Sequence, residues 1–250
     1  MLAAFDRVVA RGATEFVLVS GYSGVGKSSA VNELHKVLVP PRGLFAAGKF
    51  DQYKRDLPYA TPGQAFQMLV RQILVKTEAE VDHWRHALLE AVGSNSQLMV
   101  NLIPEVEFLI GKQSPVAQLP PQEARNRFQL VFRRFLGAFA TAEHPLALFL
   151  DDLQWLDPAT LDMLELLVTD PDVRHVLLIG ALRKSEQNSR LIIDGIARLV
   201  AIMSSTGAVE GVNRQALEYL GKTSAQLEGW STGDAVHPDD LATRFSRDFC

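Results

Sequence analysis

The chain has 250 residues, 47% of them hydrophobic and 22% charged, with a formal net charge of −4. That is enough apolar material for one sizeable core, or for one domain and a small second unit, and it excludes a compositionally disordered chain. The negative balance removes any overall pull toward nucleic acid or an anionic membrane surface, so neither is expected as a partner.

Met1 to Arg11 has a helix-like pattern carrying Asp6 and Arg7, unlike the charged, apolar and small-residue succession of a secretion signal. Phe16 to Ser20 is an apolar run of strand length. It leads into Gly21-Tyr22-Ser23-Gly24-Val25-Gly26-Lys27-Ser28, which reads G-x-x-x-x-G-K-S and precedes a helical stretch. Gly21, Gly24 and Gly26 let successive backbone N–H groups turn inward on an anion, at the positive end of the next helix. Val25 and Ser29 complete the set expected to hold the phosphates, with Lys27 on the β and γ phosphates and Ser28 on Mg2+. A plain Gly-rich strand-to-helix turn is the alternative.

The helix from Ser28 to Leu38 must end at Pro40-Pro41, and Leu44 to Phe50 is the next apolar run. Helices are then expected over Pro62 to Lys76, Glu78 to Val92, Leu98 to Ile110 and Gln122 to Ala140, with a proline-rich loop from Ser114 to Pro121. They form a helical insertion between two strands. Leu146 to Leu150 and Val176 to Gly180 are unbroken apolar runs, the pattern of strands buried on both faces of a parallel sheet. Glu143, His144 and Pro145 interrupt the most hydrophobic region, so no run reaches the roughly 18 residues of a membrane span. Between these strands Ala159 to Val168 reads as a helix capped by Asp157. The fold class is α/β, a three-layer sandwich with its ligand at the carboxyl ends of the strands.

Asp151-Asp152 close the strand that begins at Leu146. On a strand end adjacent to the one carrying the glycine loop, Asp151 would hold the metal hydration shell, and Asp152 would stand as general base. Asp is about one methylene shorter than Glu, so slow catalysis is expected. Arg183, just past Gly180, would project to the same edge and sense γ-phosphate charge; a surface arginine is the plain alternative.

With Gly48 to Arg55, these segments resemble the AAA-type module of signal-transduction ATPases with numerous domains, and more narrowly the version in large bacterial hybrids of a serine/threonine kinase and a sensor histidine kinase. The likeness spans about residues 1 to 189. It implies a P-loop NTPase switch that uses ATP and Mg2+, with Arg183 as the sensor-one residue and protein partners in a signalling pathway. Lys49 to Arg55 is expected to be a partner-facing loop. The Gly-Arg-Glu-type segment and the lid of that family are expected to be missing, which leaves the adenine side open and the ATPase activity weak.

From about Ala197 the text changes. Val200 to Ser204 and Ala208 to Val212 are strand candidates around a turn at Ser205 to Gly207, followed by a helix from Asn213. This stretch and Val236-His237-Pro238-Asp239-Asp240 resemble the first half of a PAS domain, giving a small incomplete α+β tail over 197–250. An incomplete sheet edge favours self-association or disorder. His237 reads as part of a helix-starting turn rather than a metal ligand. Cys250, the one cysteine and the last residue, leaves no internal disulfide and suits the cytoplasm.

Arg125, Arg127, Arg133 and Arg134 form a basic cluster expected to be a solvated face, His83 and His86 with Glu90 a surface helix, and Trp84 and Trp155 core or interface anchors. The function expected is a Mg-ATP-binding regulatory ATPase module with slow hydrolysis. The alternative is a non-catalytic signalling fragment that acts by association through the tail and the insertion.

Overall fold

A computed structural model describes residues 2–21, 31, 43–54, 57–183, 201–203, 209–212, 217 and 223. Its strands are β1 (Glu15–Gly21), β2 (Leu44–Lys49), β3 (Leu146–Asp151), β4 (Val176–Arg183), β5 (Ala201–Met203) and β6 (Val209–Val212). They form one sheet in the order β2-β3-β4-β1-β5-β6, parallel except for the β5–β6 pair. The expected parallel α/β sheet is therefore present. One placement differs: β3 is not beside β1, because β4 lies between them. The two acidic residues and Gly21, the end of β1, thus sit two strands apart, about 10 Å at ordinary strand spacing.

The hairpin expected to open the second unit also takes another place. Ala201–Met203 and Val209–Val212 pair antiparallel as a hairpin should, but Ile202 and Met203 also pair in parallel register with Leu18 and Val19. These residues extend the sheet past β1.

Helix α1 (Leu2–Arg11) covers one face and ends at Gly12, whose φ of 67 is the left-handed value that glycine adopts freely. Ala4, Phe5 and Val8 of α1 meet Val17, Val19, Phe45, Phe149 and Ile179 of the sheet, and the helical Val31 is buried in the same cluster. Alternate residues, among them Leu18, Ala46, Leu148, Leu150 and Leu178, face the other way. That period of two on an apolar strand is what a sheet covered on both sides requires.

The second face is covered by α2 (Ala60–Leu74), α3 (Glu78–Val92), α4 (Ser96–Leu102), α5 (Val106–Ile110), α6 (Pro121–Phe139) and α7 (Pro158–Thr169). Phe66 of α2 is fully buried, with ring centroids 5.7, 5.2 and 5.5 Å from Phe132, Phe135 and Phe139 of α6. Trp84, a buried core anchor as expected, stacks on Phe139 at 5.4 Å. The helix expected over Leu98 to Ile110 is two helices: Pro104 has no N–H to donate, and Ile103 before it is extended at φ −133 and ψ 86.

The basic cluster on α6 is mostly paired rather than a bare solvated face. Arg133 pairs with Asp170, Arg125 lies 3.7 Å from Asp162, and Arg127 donates to the Ala117 carbonyl at 2.8 Å. These contacts tie α6 to α7 and to the loop before it.

Candidate functional site

Because β1 to β4 are parallel, their carboxyl ends share one edge. Gly21 is in register with Arg183, and Lys49 with Asp151. Four strand ends thus deliver Gly21, Lys49, Asp151 with Asp152, and Arg183 to one region. Two close approaches fix this edge. A Cβ at Gly48 would lie 2.5 Å from the Thr61 carbonyl oxygen, so only glycine lets the end of β2 sit against α2. A Cβ at Gly180 would lie 2.4 Å from Leu153 Cδ1, so glycine also seats the turn after β3 on β4.

Asp151 is buried, and its Oδ1 accepts a 2.8 Å hydrogen bond from the Asp152 amide. Asp152 has φ 56 and ψ 45, the left-handed region that Asp tolerates better than most residues. It starts the 3-10 turn Leu153–Trp155, and its carbonyl accepts from the Trp155 amide at 3.0 Å. Trp155 itself is half-buried and packs against the core.

The Asp152 carboxylate, 13% exposed, is the meeting point of three strand ends. Lys49 Nζ lies 3.2 Å from Oδ2, Arg183 Nε 3.7 Å from Oδ1, and Gln154 Nε2 donates to Oδ1 at 2.8 Å. Burial alone would raise its pKa. The Gln154 amide, the Lys49 ammonium and the Arg183 guanidinium outweigh burial and hold the carboxyl below the usual range. The group is therefore an anion at neutral pH, able to accept a hydrogen bond from water.

Arg183 joins the expected constellation, with its side chain half-exposed on Asp152. Lys49 does so too, so the residue that opens the loop expected to face a partner instead faces this carboxylate. The following loop does expose Tyr53, at 85%. Lys49 and Gln154 are the members that reasoning on sequence missed. Lys49 had a usable signal, since a cation closing an apolar strand obeys the same strand-end rule as Asp151. Gln154 had none, because its reach depends on the 3-10 turn. Gly24, Val25, Gly26, Lys27, Ser28 and Ser29 lie outside the described residues.

A hard carboxylate oxygen at Asp151 suits Mg2+, which keeps much of its water and takes few protein ligands. Among the described residues no group of three or more His, Cys, Asp or Glu side chains could hold a metal by itself. At the other candidate, His86 Nδ1 meets the Asp82 carbonyl at 2.7 Å, and the His83 ring stands edge-on to Trp84. His237 lies outside the described residues. A groove of about 470 Å³, lined by Leu44, Trp84, His83 and His144 among others, opens at the amino end of β2 and holds none of the strand-end residues. No helix among the described residues is long and apolar enough to cross a membrane.

Relatives carry the signalling vocabulary. The chain is 39% identical over 160 residues to hybrid signal transduction histidine kinase G of Dictyostelium discoideum, covering 64% of this chain and 5% of that protein. It is 25% identical over 155 residues to histidine protein kinase 1 of Candida albicans, covering 56% of this chain and 6% of that protein. Both sources are eukaryotes. The chain thus spans about one-twentieth of the length of these relatives. Among solved structures, the plasmid coupling protein TrwB in complex with ADP and Mg2+ aligns over 79% of this chain and 72% of that chain, at 12% identity and a TM-score of 0.28. Residues 1–179 match the AAA ATPase domain family, with the glycine loop, the paired acids, β1 to β3 and the first half of β4 inside the match, and the chain belongs to that family.

Proposed function

We propose that the chain is a Mg-ATP-binding switch module of a signal-transduction protein, with slow hydrolysis. The observation that carries this reading is the convergence of Lys49, Asp152 and Arg183 on the edge where β1 ends in Gly21, in a member of the AAA ATPase domain family. In this reading Lys27 and the backbone from Gly21 to Ser29 hold the phosphates, Ser28 and Asp151 face Mg2+, and Arg183 meets γ-phosphate charge. The ion would shield the triphosphate and orient it. Asp152 would orient a water and take its proton, giving up its contacts to Lys49 and Arg183 as the phosphate draws those cations away. The ATPase unit is proposed over 1–189, its sheet extended by β5 and β6. A PAS-like continuation to 250, a cytoplasmic location, protein partners and self-association through the tail complete the proposal.

A steady phosphate-release assay with MgATP tests it. Wild type is expected to turn over slowly, and Asp152→Asn to lose about a hundredfold or more, the range for removing a general base. Release unaffected by both Asp152→Asn and Lys27→Ala would overturn the catalytic part. One observation favours the second reading, a non-hydrolysing associative module: the Asp152 carboxylate is already engaged by two cations and an amide. That reading gains if MgATP binds and no Asp152-dependent phosphate appears.

A further inference from the structure

Gln154 lies two residues past Asp152, and its side chain bridges two strand ends. Its Nε2 donates to Asp152 Oδ1 at 2.8 Å, and its Oε1 accepts from the backbone N–H of Arg183 at 3.2 Å. Only one orientation of the amide serves both partners. A carboxylate can only accept and a peptide N–H can only donate, so the nitrogen must face Asp152 and the oxygen Arg183. One side chain thus ties the turn after β3 to the end of β4, the strand that separates β3 from β1.

The surroundings give that tie a task. Asp152 sits in the left-handed region, so its carboxylate is aimed by a turn rather than by the strand. Its ionic partners are long side chains, Lys49 at 66% and Arg183 at 53% exposure. Exposed ion pairs are weakly directional and screened by salt, whereas a hydrogen bond from a partly buried amide fixes both distance and angle. When a phosphate competes for the two cations, the amide is the contact that stays. Gly180 leaves room for the Leu153 side chain of that turn, whose Cδ1 would lie 2.4 Å from a Cβ there.

We infer that Gln154 is a positioning residue for hydrolysis, holding the Asp152 carboxylate at a fixed place relative to the end of β4. The inference rests on the reading of Asp152 as the general base. Gln154 acts through Asp152 and touches no reacting atom.

Two substitutions separate its contacts. Gln154→Met keeps the length and removes donor and acceptor; Gln154→Glu keeps an acceptor for the Arg183 amide and removes the donor to Asp152. Single-turnover phosphate release and the MgATP dissociation constant are measured on the 250-residue chain, for each variant and for Gln154→Met combined with Asp152→Asn. Both single variants are expected to slow release by about tenfold or more while changing the dissociation constant by less than about twofold. In the Asp152→Asn background Gln154→Met is expected to cost nothing further, because nothing remains to be positioned. A second, additive loss there would mean general support of the fold and would overturn the inference, as would a Gln154→Glu variant that keeps the wild-type rate. Full activity of both Gln154 variants beside an inactive Asp152→Asn sinks this inference alone. An active Asp152→Asn sinks the base assignment, and this inference with it.

Discussion

Gly48 sets the distance between the end of β2 and the first turn of α2, and through it the place of Lys49. Gly48→Ala would drive a methyl group to 2.5 Å from the Thr61 carbonyl oxygen. Backbone cannot yield as a flexible side chain can, so a loss of about 1–3 kcal/mol is expected, the usual cost of overpacking. Urea unfolding of wild type and Gly48→Ala checks it; an unchanged midpoint would show that β2 is not held at this contact. At this scale the site was partly legible. Asp151, Asp152 and Arg183 were readable because each closes an apolar run, and strand ends on one edge of a parallel sheet are where ligands bind. Gln154 was not, because its contact with Arg183 spans 29 positions of sequence. Lys49 was readable by position, but the carboxylate it faces depends on strand order.

Among the elements, α3 shows how closely a local signal can fix a boundary. Thr77 accepts from the Glu80 amide, and Glu80 in turn accepts from the Thr77 amide at 3.1 Å, a complete capping box. Lys76 at 2.9 Å joins Thr77 in stabilising the ionised carboxylate, and the Glu80 pKa falls to about 2. Thr77→Ala is expected to cost about 1 kcal/mol, read as a lower thermal midpoint with unchanged helix content at low temperature. A variant as stable as wild type would mean that the cap is redundant with tertiary packing. The Asp157 cap of α7 follows the same logic, accepting from the Thr160 amide at 2.8 Å, and this one was evident from Asp157-Pro158 in the sequence. The expected single helix from Leu98 to Ile110 is split at Pro104: apolar spacing that runs on through the proline pointed to one helix, but the missing N–H breaks it.

For the whole molecule, strand and helix identity were legible because apolar runs and helical stripes are local, whereas strand order is not. Nothing in the chain text says that β4 inserts between β1 and β3; that follows from long-range pairing. The joint between α1, β1 and β4 also carries a pH dependence. His175, with φ 57, donates its amide to the Gly12 carbonyl at 2.9 Å, and its Nδ1 is buried without a hydrogen-bond partner among the described residues. Burial first, and the neighbouring Arg174 second, lower its pKa. The folded chain therefore binds this proton less tightly than the unfolded chain. The associated stability is full above about pH 6.5, the ordinary histidine value, and is lost as pH falls through the folded pKa. His175→Asn, which tolerates the same backbone, is expected to flatten the fall in unfolding free energy between pH 7 and pH 5. An equally steep fall in the variant would place the effect elsewhere.

The central claim is that the loop from Gly21 to Ser28 holds a triphosphate with Mg2+ beside Asp151. Thermal unfolding with and without MgATP, in wild type and Lys27→Ala, tests it most directly. At a ligand concentration about a hundredfold above the dissociation constant, binding adds about 2.7 kcal/mol of stability, which for a domain of this size raises the midpoint by roughly 5–10 °C. The wild-type midpoint is expected to rise by that order with MgATP and the Lys27→Ala midpoint to stay in place. A wild-type midpoint that does not respond to saturating MgATP, or a variant that responds equally, would contradict it.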